Sequence, residues 1–246
     1  MKISIITVCF NSQHTIKATI KSVLNQSYNK VEYIIIDGGS TDNTIEIINE
    51  FSNSIDLLVS ETDAGIYDAI NKGIGKSSGD VIGLLHADDI FENKLVLENV
   101  MSFFDKDIDM IYGDINYVDR VDVNKVIRRW KSSIYSINKF KWGWMPPHTG
   151  FFIKKSCYLN YGLYNLNVGS SADYELMLRM FEVHDLKSKY ISLNIAKMRM
   201  GGVSNSSFKN RWEANRNDKK SWKVNGLKPF WFTFIIKPLI KIKQFF

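Results

Sequence analysis

Two adjacent carboxylates, Asp88 and Asp89, close the apolar run Ile82-Gly83-Leu84-Leu85-His86-Ala87. Set off by Gly79-Asp80 before and by charge after, such a run reads as a buried strand of a parallel sheet. Open α/β sheets bind ligands just beyond the carboxyl ends of these strands. Two acids held together there repel unless a cation sits beside them. One chemistry that fits is a divalent metal, Mg²⁺ or Mn²⁺, held by hard oxygens and shared with a diphosphate. The other reading is a pair of acids capping a helix near residues 93–104.

The same placement recurs along the chain. Asp37 follows the apolar stretch 31–36, and Asp63 lies just past a third strand at 56–60. One such acid is explained as a turn residue, but parallel strands would gather all of them at one edge. Carboxylates there suit the donors of a nucleotide, namely a uracil N3–H and ribose hydroxyls. The loop from Thr7 to Asn11 would sit beside Asp37, with Phe10 placed to lie against a base.

Other chemistries are excluded by spacing. Gly75-Lys76-Ser77 looks like the end of a phosphate-binding loop, but the glycine required five positions earlier is Ile70. The first strand is not followed by the glycines of a dinucleotide site. The four histidines have no metalloprotease spacing, and no G-x-S-x-G elbow is present.

Strand and helix signals alternate through the elements that must position these acids: strands at 3–9, 31–36, 56–60, 81–85 and 110–113, helices at 15–26, 43–51, 66–75 and 94–104. That alternation argues a mainly parallel α/β sheet flanked by helices. Beyond Asp114 a hairpin-like stretch at 116–127 precedes an aromatic segment from Trp130 to Trp144. A strand at 150–153, a helix at 172–182 and two short strands at 190–193 and 196–200 follow. One domain over residues 1–205 is the simplest organisation. Gly201-Gly202-Val203-Ser204 could form a loop closing over a ligand.

The chain has 246 residues, 45% hydrophobic and 24% charged, with a net charge of +6, ordinary values for a globular protein. The charge is uneven: residues 197–246 carry twelve Lys/Arg against Glu213 and Asp218, a net of +10, while residues 1–196 carry a net of −4. Cys9 and Cys157 imply no disulfide framework and a reducing compartment. No run reaches the ~20 apolar residues of a bilayer span, and residues 2–10 are too short for a signal peptide, so a cytoplasmic protein is expected. Residues 206–246 form a basic aromatic tail, with a helix at 208–224 and an apolar run at 229–236 interrupted at Pro238. Lys with Trp, Phe and Ile is the profile of an element lying in a membrane interface; the alternative is a helix packing its aromatics on the domain.

Several ordered stretches resemble a family 2 glycosyltransferase of the GT-A fold, of the small bacterial surface-polysaccharide type. They are Ile5 to Asn11, Ile36-Asp37-Gly38-Gly39-Ser40-Thr41-Asp42, Glu61 to Gly73, His86-Ala87-Asp88-Asp89 and Ala172-Asp173-Tyr174-Glu175. The resemblance implies a metal-dependent, inverting transfer from a nucleotide-diphospho-sugar, a UDP-sugar, to a saccharide acceptor, lipid-linked at the inner face of the cell membrane. It assigns Thr7, Phe10, Asn11, Asp37 and Asp63 to the donor nucleotide, Asp88 to ribose or metal, Asp89 to the metal, and Asp173 to the base that deprotonates the acceptor. Two positions depart from the family pattern: His86 stands where Asp or Asn is frequent, and Ile70 where Arg is frequent, a residue whose phosphate or base contact Lys72 could supply. His148 falls on the acceptor side. A nucleotide-sugar-binding protein that has lost catalysis is the alternative. A nucleic-acid binder is disfavoured, because the tail cations alternate with aliphatics.

Overall fold

The computed structural model describes residues 1–201, 208–242 and 244. The first strand, β1 (Ile3–Cys9), is buried along its whole length, and β2 (Val31–Asp37) along all but its first residue. Strands buried on both faces belong inside a parallel sheet. β1 pairs in parallel with β2 on one side and β4 (Val81–Leu84) on the other, and β2 pairs with β3 (Leu57–Ser60). The helices α1 (Ile16–Leu24), α2 (Thr44–Asn49) and α3 (Ile66–Lys76) connect these strands. In α1, Ile16, Ile20 and Val23 face inward, the spacing of one helical stripe. In α3 the buried side is Ala69, Ile70, Gly73 and Ile74. A Cβ at Gly73 would meet Ile6 Cγ2 at 2.6 Å, so the glycine lets α3 close onto β1.

Beyond β4 the sheet turns antiparallel and curls. β8 (Phe151–Lys154) pairs antiparallel with β4 and with β6 (Met110–Val118), and β9 (Ser188–Arg199) runs parallel to β6. Two pairings differ from expectation. The two short strands foreseen at 190–193 and 196–200 are one strand, β9, whose register slips against β6 between Tyr112 and Ile115. The slip sits at Gly113, where a Cβ would meet Ile195 Cγ1 at 2.6 Å and the Leu193 carbonyl at 2.7 Å. A bulge there breaks the alternation that would mark a single strand. The second difference is β5 (Asp89–Phe91), antiparallel to β9. It starts at Asp89 and separates the paired acids from α4 (Val96–Ser102), which excludes the helix-cap reading. The hairpin is β6 with β7 (Val126–Trp130).

α5 (Lys155–Tyr161) follows β8, and α6 (Ala172–Leu178) ends in a wide π turn at Arg179–Val183 rather than running on as α-helix to 182. Tail helix α7 (Phe208–Val224) packs on α6 through Trp222, only 1% exposed, whose Nε1 donates to Tyr174 Oη at 2.9 Å. This tail aromatic belongs to the core. The last helix, α8 (Thr233–Ile242), carries Pro238 within it. Of the glycine loop foreseen at 201–204, residues 202–204 lie outside the described residues.

Replacing Trp222 with Ala removes a fully enclosed ring and should cost about 3–5 kcal/mol, read as a lower urea midpoint at unchanged slope. At the opposite edge Glu32 accepts from Ser4, Ser78 and Lys2. Burial alone would raise its carboxyl, but these donors outweigh burial and hold it down at about 2 against the ordinary 4.5. The stabilisation is therefore complete above the ordinary value and lost as pH falls towards the folded one. Glu32→Gln should flatten the acid limb of a melting-temperature profile over that window.

Candidate active site at the carboxyl edge of the sheet

The ends of the first three strands lie level: Cys9 pairs with Asp37, and Asp37 with Ser60. Asp37 is fully buried. Its Oδ2 accepts from the amides of Gly39 and Ser40, both at 3.0 Å, and from Ser60 Oγ at 2.7 Å, while Ser40 Oγ donates to Oδ1. Burial alone would raise this carboxyl, but those donors win and hold it below the ordinary range. Asp37 thus shapes the Gly38–Ser40 turn rather than presenting a free carboxylate to a base. Asn11, at φ 48°, ties the two loops together: its amide donates to Ser40 Oγ and its Oδ1 accepts from the Thr41 amide. Thr7 turns inward to Tyr33 Oη at 3.1 Å and is fully buried, so its hydroxyl does not reach the loop face. Phe10, 60% exposed, stands free above them.

Asp63 comes up beside this turn. A Cβ at Gly38 would lie 2.6 Å from Asp63 Oδ2, so only glycine admits the carboxylate there. Its Oδ1 accepts from the Gly65 amide at 2.8 Å. Lys72 is engaged by Glu61 at 3.0 Å and Asp68 at 3.4 Å, and the Glu61 hydrogen bond, then the nearby acids, raise its ammonium above the ordinary value. Ile70 is buried against the sheet and faces away from the edge. Asn71 makes a paired hydrogen bond with the backbone of Tyr164, at 2.9 and 3.0 Å, clamping α3 to the loop before α6.

The paired acids differ sharply. Asp88 is partly exposed, and its carbonyl accepts from Arg199 Nη1 at 2.6 Å. Asp89 is fully buried, and neither carboxylate oxygen has a hydrogen-bond partner. Burial, then the neighbouring charge of Asp88, pushes its carboxyl well above the ordinary range; Arg199 and Thr149 offset this only in part. A buried carboxylate without donors is costly, and a hard cation is what it lacks. Among the described residues no three His, Cys, Asp or Glu side chains converge as a closed metal cage. Mg²⁺ and Mn²⁺ take one or two carboxylates and complete their shell with water and phosphate oxygens. Asp89, with Asp88 beside it, fits such an ion.

His86 and His148 link these acids to the far side of the edge. Their rings lie 5.3 Å apart, and His148 Nδ1 is 3.7 Å from Asp173 Oδ2. Burial, and then the nearness of His148, pushes His86 down to about 3, so its imidazole is neutral; its Nδ1 is buried without a partner. Asp173 opens α6 and accepts from Tyr67 Oη at 3.2 Å and from the Tyr174 amide at 2.8 Å, through Oδ1 in both cases. Its Oδ2 faces His148 and remains partly exposed. The structure therefore brings Asp88, Asp89, His148 and Asp173 to one side, and Phe10, Asn11, Asp37 and Asp63 to the adjoining loops. Arg199, Tyr67 and Thr149 were not singled out by sequence. Tyr67 lies within the stretch from Glu61 to Gly73, but Arg199 meets Asp88 across 111 positions, and no local spacing announces it.

The chain belongs to glycosyl transferase family 2, whose profile matches residues 4–162. A PGL/p-HBAD biosynthesis glycosyltransferase of Mycobacterium bovis (strain BCG / Pasteur 1173P2) is 28% identical over 209 residues, covering 82% of this chain and 79% of the relative. Among solved structures, S. aureus TarS 1-349 in complex with UDP superposes with a TM-score of 0.66 at 18% identity, covering 90% of this chain. This chain spans only 65% of that one. Glucosyl-3-phosphoglycerate synthase from Mycobacterium tuberculosis, crystallised with Mn²⁺, UDP and glucosyl-3-phosphoglycerate, gives 0.63 at 15%, covering 93% of this chain and 81% of that one. The protein is thus a glycosyltransferase with the GT-A fold.

Asp89→Asn removes an unpaired buried charge. The variant should melt at or above the parent temperature without metal, yet lose the upward shift that Mn²⁺ with UDP gives the parent. Differential scanning fluorimetry with and without Mn²⁺ and UDP checks both halves.

Proposed function

We propose that this glycosyltransferase transfers a sugar, with inversion, from a UDP-sugar to a saccharide acceptor, and that the acceptor is lipid-linked at the inner membrane face during bacterial surface-polysaccharide synthesis. The observation that carries the reading is the unpaired Asp89 carboxylate on the same sheet edge as the half-open Asp173. A cation held by Asp89 and Asp88 would supply charge neutralisation for the departing diphosphate. The remaining work falls to the chain itself. Asp173 Oδ2 is free to take the proton of the acceptor hydroxyl as the new glycosidic bond forms. Tyr67 fixes the other oxygen, and His148 borders the side from which an acceptor would approach. Phe10 offers a ring for a base to lie on, beside the Asp63 carboxylate and the turn built by Asp37 and Asn11. Direct displacement needs no covalent nucleophile, and an attack opposite the leaving diphosphate inverts the anomeric carbon. The UDP held by two solved neighbours of this fold is in keeping with a uridine donor.

Asp173→Asn keeps the shape but not the base. It should lower kcat by ~10²–10⁴-fold in a UDP-release assay with Mn²⁺ while leaving UDP affinity within a factor of about three. Unchanged turnover would remove Asp173 from the mechanism. His86 and Ile70 give the competing reading its footing, since a neutral imidazole stands where the family often has Asp or Asn, and an aliphatic side chain where it often has Arg. Parent protein that binds UDP with Mn²⁺ but turns over no acceptor would favour a binding protein on this fold.

A further inference from the structure

α8 divides its apolar residues between two sides. A helix on a water-soluble domain turns its apolar stripe inward and its polar residues outward. Here the inward positions include, beside Phe234 packed on the core, two polar ones: Thr233, whose hydroxyl donates to the Lys141 carbonyl at 2.6 Å, and Lys237, paired with Asp218 at 2.6 Å and lying 3.5 Å from the Tyr174 ring centre. The outward positions are Ile235, Pro238 and Leu239, with Ile235 57% and Leu239 54% exposed. The backbone is pressed close to the domain: a Cβ at Gly143 would lie 2.8 Å from Lys237 Cα. The helix is therefore seated by these polar bonds together with Phe234, and Ile235 and Leu239 are left facing out.

That face is continued by aromatics. Trp231 is 84% exposed, and Trp142, Phe230 and Phe232 cluster with ring centres 5.2–5.7 Å apart. Cations border it. Lys141 lies 5.5 Å from the Phe230 ring, Lys228 is exposed just before it, and Arg216 and Lys219 of α7 share a shallow hollow with Phe234 and Ile235. Contiguous exposed aromatics and aliphatics of this extent mark an interaction surface. Trp and Phe beside Ile and Leu, rimmed by Lys and Arg, match the boundary between acyl chains and anionic headgroups.

We propose that the outward face of α8, with Trp231 and the Trp142–Phe230–Phe232 cluster, seats this protein on an anionic bilayer, with Arg216 and Lys219 taking a lipid phosphate at the hollow. Trp222 takes no part, being buried in the core, so the membrane element is the last helix and its lead-in rather than the whole basic tail. Among the described residues no helix is long and apolar enough to cross a membrane, so the contact is one of lying on the surface. The same face is coupled to the reaction edge: Lys237 covers the ring of Tyr174, the residue after Asp173, and Gly143 begins the segment that leads to His148. An acceptor held in the bilayer would be met on that side. The seat gives the membrane partner of the proposed function a physical place, resting on that location but not on the chemistry of Asp173.

The test is co-sedimentation of the full chain with vesicles of phosphatidylcholine alone or mixed with phosphatidylglycerol. The parent should bind the mixed vesicles, more weakly at high salt. Ile235→Ser with Leu239→Ser should lower partitioning on the order of tenfold or more while the urea midpoint stays near that of the parent, because neither side chain is enclosed. Asp173→Asn should bind vesicles like the parent, which separates failure of this seat from failure of the catalytic reading. Three outcomes would overturn the proposal: equal binding by the double variant, no preference for anionic vesicles, or a concentration-dependent dimer that the double variant abolishes while the parent ignores lipid.

Discussion

An unpaired carboxylate governs the architecture of this protein. Asp89 is enclosed, neither carboxylate oxygen has a hydrogen-bond partner, and the charge of Asp88 adds to burial in opposing its ionisation, with Arg199 and Thr149 offsetting this only in part. A fold that only needed stability would put an apolar or amide side chain there. An acid kept in that setting is what the proposed cation, arriving with a diphosphate, would complete from outside. The surroundings hold the carboxylate ready without neutralising it. β5 begins at Asp89 and pairs with β9, so the backbone at this position cannot relax outward. Arg199 spends a hydrogen bond on the Asp88 carbonyl, which fixes the turn while leaving the carboxylate free.

The other acids of the edge solve the opposite problem. Asp37 is saturated by donors from its own turn, and the Gly38 that follows leaves room for Asp63. One acid is therefore consumed in building a loop, one is positioned through the space that loop leaves, and one is kept unsatisfied. Between Asp89 and Asp173 the neutral His86 ring leans on His148, which reaches Asp173. An acid at position 86 would add a third negative charge beside Asp88 and Asp89. A neutral imidazole avoids that repulsion.

Most of the parallel half of the sheet was readable from sequence, because its strands are continuous apolar runs ended by acids. The antiparallel half was less so. β5 is three residues long, shorter than any periodic signal, and it exists because β9 lies beside it. β9 was split in two by the bulge opposite Gly113, which inserts residues that break alternation without breaking the strand. At the site, residues within ordered stretches were found and those delivered by long-range pairing were not. Arg199 and Thr149 take their roles from neighbours far away in the chain. Roles within a stretch were also hidden: nothing in Ile36-Asp37-Gly38 says that the Asp37 carboxylate is used up by Ser40 and Ser60.

The tail shows the same limit in its composition. Lysines and aromatics at 208–246 suggested either membrane contact or packing on the domain, and composition alone cannot divide them. The fold does. Trp222 meets Tyr174 and is lost to solvent, whereas Trp231 meets water. Lys237, which by type would belong outside, is drawn inward by Asp218 and the Tyr174 ring. That single inward pairing sets the rotation of α8, because a helix with Lys237 and Thr233 against the domain must turn Ile235 and Leu239 away from it. The exposed apolar face is thus a consequence of where one ion pair formed. Since the ring that Lys237 covers adjoins Asp173, the orientation of the last helix and the position of the proposed base share one anchor.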